Sequence, residues 1–191
     1  MPSYLDYYNL ETYLFDKVSP QFRKSGKLAP LDFFLILHWK SARARTKARD
    51  RLKALVKKRP SGAVKNSFTQ ATKEIAKSLY KARAEERLKV LMKEWKFRLP
   101  TATAVLSVLY PDDFTIWDVR VRDAINSVRN PKLSPIREEY SDRTWSQIWK
   151  GYLDFKRAVI ESTPSDLSLR DKDRYLWGKS LAADIERDLH G

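Results

Sequence analysis

Between Gly62 and Gly151 the chain contains no glycine at all. Glycine takes positive φ without steric cost, so it is the usual residue of sharp turns. A stretch this long without one points to helices joined by short connections. The whole chain has only 5 Gly and 9 Pro in 191 residues, and 42% of its residues are hydrophobic, which suffices for an ordinary globular core. The expected fold is all-α. It would be one compact domain over residues 1–191, or two lobes, a basic one over about 30–110 and a second made of 1–29 and 111–191.

The absence of cysteine excludes disulfides, thiolate zinc sites and iron–sulfur clusters. His38 and His190 are too far apart in sequence to suggest a metal site, and no metal or cofactor is expected. No apolar run approaches the length of a membrane span. Met1–Phe15 lacks the basic start and apolar stretch of a signal peptide, so a cytoplasmic protein with no membrane partner is expected.

The formal net charge of +14 is unevenly placed. Lys40–Arg98 holds 20 Lys/Arg against 5 Asp/Glu, while the other 132 residues hold 18 against 19. Within that block Lys40–Arg59 has 10 Lys/Arg and only Asp50 as an acid. A charge run is often just a solvated helix face. Clustered cations in a chain of pI about 9.9 favour a phosphate-tracking surface that would hold a nucleic acid backbone.

Periodicity divides the chain as follows. Tyr4–Val18 reads as a helix burying Leu5, Tyr8, Leu14 and Phe15. Ser19–Pro30, with two prolines and Gly26, reads as a loop. Leu31–Trp39 is apolar enough for a buried helix. A basic helix from Ala44 to Lys58 has a thin apolar stripe of Leu52, Leu55 and Val56, ended by Arg59-Pro60-Ser61-Gly62. Ala63–Tyr80 and Ala84–Trp95 are amphipathic. Leu99-Pro100 opens a helix of small residues that stops near Tyr110-Pro111. Phe114–Trp117 is an extended link into a helix from Asp118 to Val128, and Arg129–Glu139 is a loop. Asp142–Ser162 and Leu167–Leu189 close the chain, with Trp145, Trp149, Leu153, Phe155, Leu169, Leu176, Trp177 and Leu181 as expected core.

One segment carries a specific pattern: Arg98-Leu99-Pro100-Thr101-Ala102, followed by Trp117-Asp118-Val119-Arg120-Val121. It resembles the helix-hairpin-helix DNA glycosylase superfamily, in which an L-P-G-x-G-x-x-T-A segment opens a helix. In that superfamily an aspartate in a D-x-H/R context follows some seventeen residues after the threonine. Bacterial relatives that read roughly L-P-T-A-S-A-x-L, then Y-P, then D-x-R are closer still. Trp39-Lys40-Ser41 and the run from Arg170 through Asp173-Arg174 to Leu176-Trp177 look like two further segments of those relatives. The likeness spans about Leu31 to Lys179, its sharp part some 25 residues. It implies a two-lobed helical fold with a cleft between lobes, and a glycosylase that flips a base out of the duplex.

The resemblance carries roles to particular residues. Asp118 corresponds to the catalytic carboxylate, which would stabilise positive charge developing on the sugar. On residue type alone Asp118 reads first as an N-cap; the spacing after Thr101 and the basic block are what favour the catalytic role. The hairpin glycines fall in register at Lys96 and Arg98, where cationic side chains would replace an amide nest, next to Thr101. A strand-nicking enzyme of this type has lysine where this chain has Pro100, so lyase chemistry is not expected. Arg43, Arg45 and Lys47 would contact the backbone. Trp39 and Lys40 would line a base pocket or contact phosphate, the alternative for Trp39 being core. Tyr110, Phe114 and Trp117 surround the proposed site in sequence and offer flat faces for an extruded base, the alternative for one or two of them being packing alone. Arg120 would reach a phosphate or pair with an acid such as Asp123.

The function this implies is a monofunctional DNA glycosylase acting as a monomer on a modified or damaged base in double-stranded DNA. The rivals are a catalytically silent DNA-binding module of the same fold and a basic helical module that binds an acidic protein.

Overall fold

The structure, a computed structural model, describes residues 2–58, 67–134 and 145–190. Among them every regular element is helical, as the scarcity of glycine implied. The chain divides into two units after Pro111.

The first unit begins with two short helices, α1 (Tyr4–Tyr8) and α2 (Leu10–Tyr13), broken at Asn9, and a π turn over Leu14–Val18. It continues through α3 (Ser19–Ser25), α4 (Pro30–Lys40), α5 (Arg45–Lys57), α6 (Ser67–Tyr80), α7 (Ala84–Lys89) with a π turn over Val90–Glu94, and α8 (Leu99–Leu109). The expected stop at Arg59-Pro60-Ser61-Gly62 and the helix start at Ala63 lie outside the described residues.

Three expectations for the N-terminal part are corrected. Leu5 and Tyr8 are exposed at 74% and 87%, because α1 ends after five residues and the burial begins at Leu14. Ser19–Ser25 is helix rather than loop. Pro20 has no N–H to give, but the preceding π turn has already widened the ladder, with the Ser19 N–H reaching back to the Leu14 carbonyl. The helix therefore runs past the proline and ends only at Gly26, whose φ of 66° and N–H bond to the Phe22 carbonyl form a left-handed cap. Thirdly, residues 1–29 belong to the first unit and not with 111–191. The Tyr13 hydroxyl donates to Asp32 at 2.7 Å. Phe22 meets the rings of Tyr80 and Tyr110 edge-on, with centroids 6.0 and 5.6 Å away.

At the centre of this unit lies α8, which packs on α3, α4, α7 and the first π turn. From Ala102 to Leu109 every residue is buried, which small side chains permit. Its two buried hydroxyls are satisfied by its own backbone: Thr103 donates to the Leu99 carbonyl at 2.7 Å and Ser107 to the Ala104 carbonyl at 3.0 Å.

The second unit has α9 (Val119–Asn126), α10 (Trp145–Glu161) and α11 (Leu169–His190). Phe114–Trp117 links the units' helices without regular secondary structure, and all four residues are buried. Within it, Phe114 stacks on Tyr152 and Trp117 packs against Phe155. The Tyr152 hydroxyl donates to the Thr115 carbonyl at 3.0 Å and accepts from the Thr115 N–H at 3.1 Å. Burial pushes that phenol far above its ordinary pKa. Residues 129–134 are irregular as expected; the rest of the expected loop to Glu139 and the helix start at Asp142 lie outside the described residues.

The core of α10 is Ile148, Tyr152, Phe155, Ala158 and Val159. Leu153, expected there, is exposed because it sits about 100° from that stripe. Trp145, Trp149 and Leu169 are half-buried. On α11 Leu176 is buried with Lys172 and Asp173, whereas Trp177 and Leu181 are exposed.

Candidate nucleic-acid interface and carboxylate

The basic helix α5 has two distinct faces. Leu52 and Val56 are buried, with Leu55 half-buried, and form the thin apolar stripe. On the opposite side Lys47, Arg51, Ala54 and Lys58 recur at spacings of four, three and four, and all are exposed. Arg43, in the turn before α5, is also exposed. Arg45 differs from its neighbours: it is half-buried and its guanidinium donates to the Ala42 carbonyl. Of the three cations in this segment expected to contact the backbone, Arg43 and Lys47 are turned outward and Arg45 is turned back on its own turn.

The turn between the second π turn and α8 is the other half of this surface. Lys96 has a φ of 57°, left-handed backbone that favours glycine. The Phe97 N–H reaches back six residues to the Leu91 carbonyl at 2.9 Å, closing the helix with a left-handed residue followed by a buried apolar one. Lys96 and Arg98 are exposed on either side of Phe97, which is fully buried. The guanidinium of Arg51 lies over the Phe97 ring, 5.5 Å from its centroid. Through that contact the stripe on α5 and the Lys96–Arg98 turn become one cationic patch, although some 45 residues separate them. Thr101 is half-buried in the first turn of α8, its N–H bonded to the Arg98 carbonyl.

Trp39 and Lys40, at the end of α4, are half-buried, and the Trp39 ring meets Phe15 edge-on at 5.7 Å. Tyr110 is not a base-holding face. It is 8% exposed, its hydroxyl donates to the Leu79 carbonyl at 2.9 Å, and the Arg87 guanidinium covers its ring at 3.4 Å. Phe114 and Trp117, at 1% and 4% exposed, are likewise packed in the core of the second unit. The expectation that these three rings present open faces is therefore corrected: each already has a neighbouring ring or guanidinium.

Asp118 is half-buried at the start of α9. It is the N-cap, and its carboxylate accepts the Arg120 N–H at 2.9 Å. The side chain of Arg120 does not pair with Asp123, which is held by Arg122 at 2.7 Å. It pairs instead with Asp184 on α11. Arg187 donates to the same carboxylate, and the two guanidiniums, Arg120 first, hold Asp184 below the ordinary carboxylate range. The Asp118 corner is thus braced against α11.

Comparison with protein-family models, curated proteins and solved structures finds no match in any of the three.

Sequence reading missed the α11 side of this corner. Trp177 and Leu181 precede Asp184 by seven and three residues, so they lie on nearly the same helix face. At 43% and 37% exposed they leave an apolar strip within about 10 Å of Asp184 along the helix axis. Their apolar spacing was legible, but it reads equally as core. The segment from Arg170 to Trp177 is otherwise structural: Arg170 donates to the buried Asp173, and Arg174 pairs with Asp171 at 3.0 Å. Among the described residues no helix is long and apolar enough to cross a membrane, and no group of His, Asp or Glu is gathered for a metal ion.

Proposed function

We propose that the chain is a monofunctional DNA glycosylase, binding duplex DNA with the first unit's cationic patch and using Asp118 as its catalytic carboxylate. The observation that carries the reading is the left-handed backbone of Lys96. The resemblance places a hairpin glycine at that residue, and the backbone there has the conformation that glycine adopts with least strain. A lysine held in that conformation indicates a turn whose shape outlasts its usual residue. With glycine absent, phosphate would be met by the side chains of Lys96, Arg98, Arg51, Lys47 and Arg43.

Asp118 would act at the sugar. A carboxylate fixed by a backbone N–H and braced through Arg120 is preorganised for stabilising an oxocarbenium-like centre and for orienting water. The extruded base would lie against Trp177 and Leu181, exposed apolar residues on the face of α11 that bears Asp184. Pro100 at the position of the nicking lysine leaves an abasic site as product.

A silent DNA-binding module is the second reading, favoured by one observation: the Asp118 carboxylate already serves as a helix cap. Purified protein incubated with duplexes carrying different modified bases, scored for abasic sites, separates the two. Asp118→Asn keeps the cap, so stability should change by less than about 1 kcal/mol. Base release should fall by about a hundredfold or more. Base release that survives in Asp118→Asn, or is lost only in proportion to unfolded protein, makes Asp118 a cap and nothing more.

A further inference from the structure

Helix α11 carries its apolar side chains on the side away from its own unit. Its inner face buries Lys172, Asp173 and one apolar residue, Leu176. Lys172 donates to the Pro164 carbonyl and Asp173 accepts from Arg170, so that face is largely polar. By helical periodicity Leu181, Ile185 and Leu189 fall on the opposite side, with Trp177 at its edge. Ile185 and Leu189 are 56% and 74% exposed, and with Trp177 and Leu181 they form one ridge in steps of four residues, over about 18 Å of helix axis. Gly178 and Ala182 lie beside the ridge, both exposed. A Cβ on Gly178 would meet nothing within 4 Å, so no contact among the described residues calls for a glycine that weakens the helix.

Monomers rarely leave so continuous an apolar ridge in water. The charges on the same helix indicate what covers it. Leu169–Lys179 holds four Lys/Arg against two Asp, and Ser180–His190 one Arg against three Asp/Glu. The first half of α11 is thus cationic and the second anionic. A second α11 running parallel would set like charges together, whereas an antiparallel one sets each half against its opposite. The exposed face is also symmetric about Leu181. Trp177 and Ile185 stand four residues to either side of it, Arg174 and Asp188 seven, all within about 40° of one direction.

We propose that two copies of the chain pair antiparallel through α11, about a twofold axis at Leu181. Leu181 meets its own counterpart, Trp177 of one copy packs on Ile185 of the other, and Arg174 pairs with Asp188 across the axis. Arg174 already pairs with Asp171 at 3.0 Å, but that exposed contact within one helix is weak, and a guanidinium has donors for both carboxylates. Gly178 lets the two helices approach closely. The pairing departs from the expected monomer and does not rest on the glycosylase reading. In that reading it covers Trp177 and Leu181, so the dimer is the form without a bound base.

Sedimentation equilibrium of the DNA-free full chain tests this. From about 1 to 200 μM the chain should pass from monomer to dimer, weakly, because one helix face is a small interface. Leu181→Glu with Ile185→Glu should leave monomer throughout, with an unchanged melting temperature at the dilute end, since both side chains are exposed. Asp188→Arg should weaken the dimer by about tenfold by setting two like-charged pairs across the axis, and adding Arg174→Glu should restore most of it. A chain that stays monomeric over the whole range overturns the proposal, and so does a dimer that survives the two glutamates. A dimer that the charge exchange fails to restore overturns the antiparallel pairing. None of these measurements involves DNA or base release, so the glycosylase reading stands or falls separately.

Discussion

The guanidinium of Arg51 sits over the ring of Phe97. Phe97 is buried between two exposed cations, and Arg51 lies on the outward stripe of α5. This one pairing fuses two basic segments that are remote in sequence, and it fixes how far apart their charges stand.

That patch should govern the salt dependence of DNA binding. Log affinity for duplex should fall with log salt by roughly 0.9 per phosphate neutralised. Replacing Arg43, Lys47 and Arg51 by Gln should flatten the slope by about one unit for each phosphate no longer neutralised. Arg45→Gln should change it less, because that side chain is bonded to the Ala42 carbonyl. Fluorescence anisotropy across a salt series measures all four, and an unchanged slope places the DNA surface elsewhere.

Lys96 separates conformation from charge. A non-glycine residue in left-handed backbone costs about 1 kcal/mol or more. Lys96→Gly should therefore hold or raise stability by up to about 1 kcal/mol while weakening DNA binding. Lys96→Ala should weaken binding with no such gain. Denaturant melts and binding curves on the same preparations give both quantities; parallel losses in stability and affinity would mean that Lys96 serves the fold alone.

Strand cleavage gives a third outcome. Pro100 has no amine, so borohydride should trap no covalent complex with DNA and strands should break only after alkali or heat. A trapped adduct that disappears in Lys96→Gln would assign the amine to Lys96.

Asp184 should titrate below the ordinary carboxylate value of about 3.9, since Arg120 and Arg187 both stabilise its charged form. A depressed carboxylate contributes stability above its unfolded pKa and loses it as pH falls through its folded one. NMR titration should show Asp184 moving up towards the ordinary value in Arg120→Gln, more than in Arg187→Gln. An unmoved titration in both variants would mean that the two guanidiniums do not engage this carboxylate in solution.

The helical class was legible because it depends on composition and on three- and four-residue spacing, both local properties. The basic stripe of α5 was legible for the same reason. Ser19–Ser25 was not, since proline reads as a breaker unless the turn before it is known to be π. The three rings at Tyr110, Phe114 and Trp117 mark an apolar neighbourhood, but no local pattern says whether a ring faces solvent or another ring. Trp177 and Leu181 fail in the opposite sense: their spacing looks like core, and only the position of neighbouring helices leaves them uncovered. The pairing of Arg120 with Asp184 spans 64 residues and has no local signature.

The enclosure of α8 has a consequence for how a strand would be read. Lys96 and Arg98 stand at the mouth of a helix that is packed on every side, so their positions are fixed by the stiffest part of the first unit. The cations of α5 ride on long side chains above only a thin stripe of burial. A strand would be gripped in register at the Lys96–Arg98 turn and loosely along α5. Its nuclease footprint would have one sharp edge and one blurred edge, and the sharp edge would mark the turn.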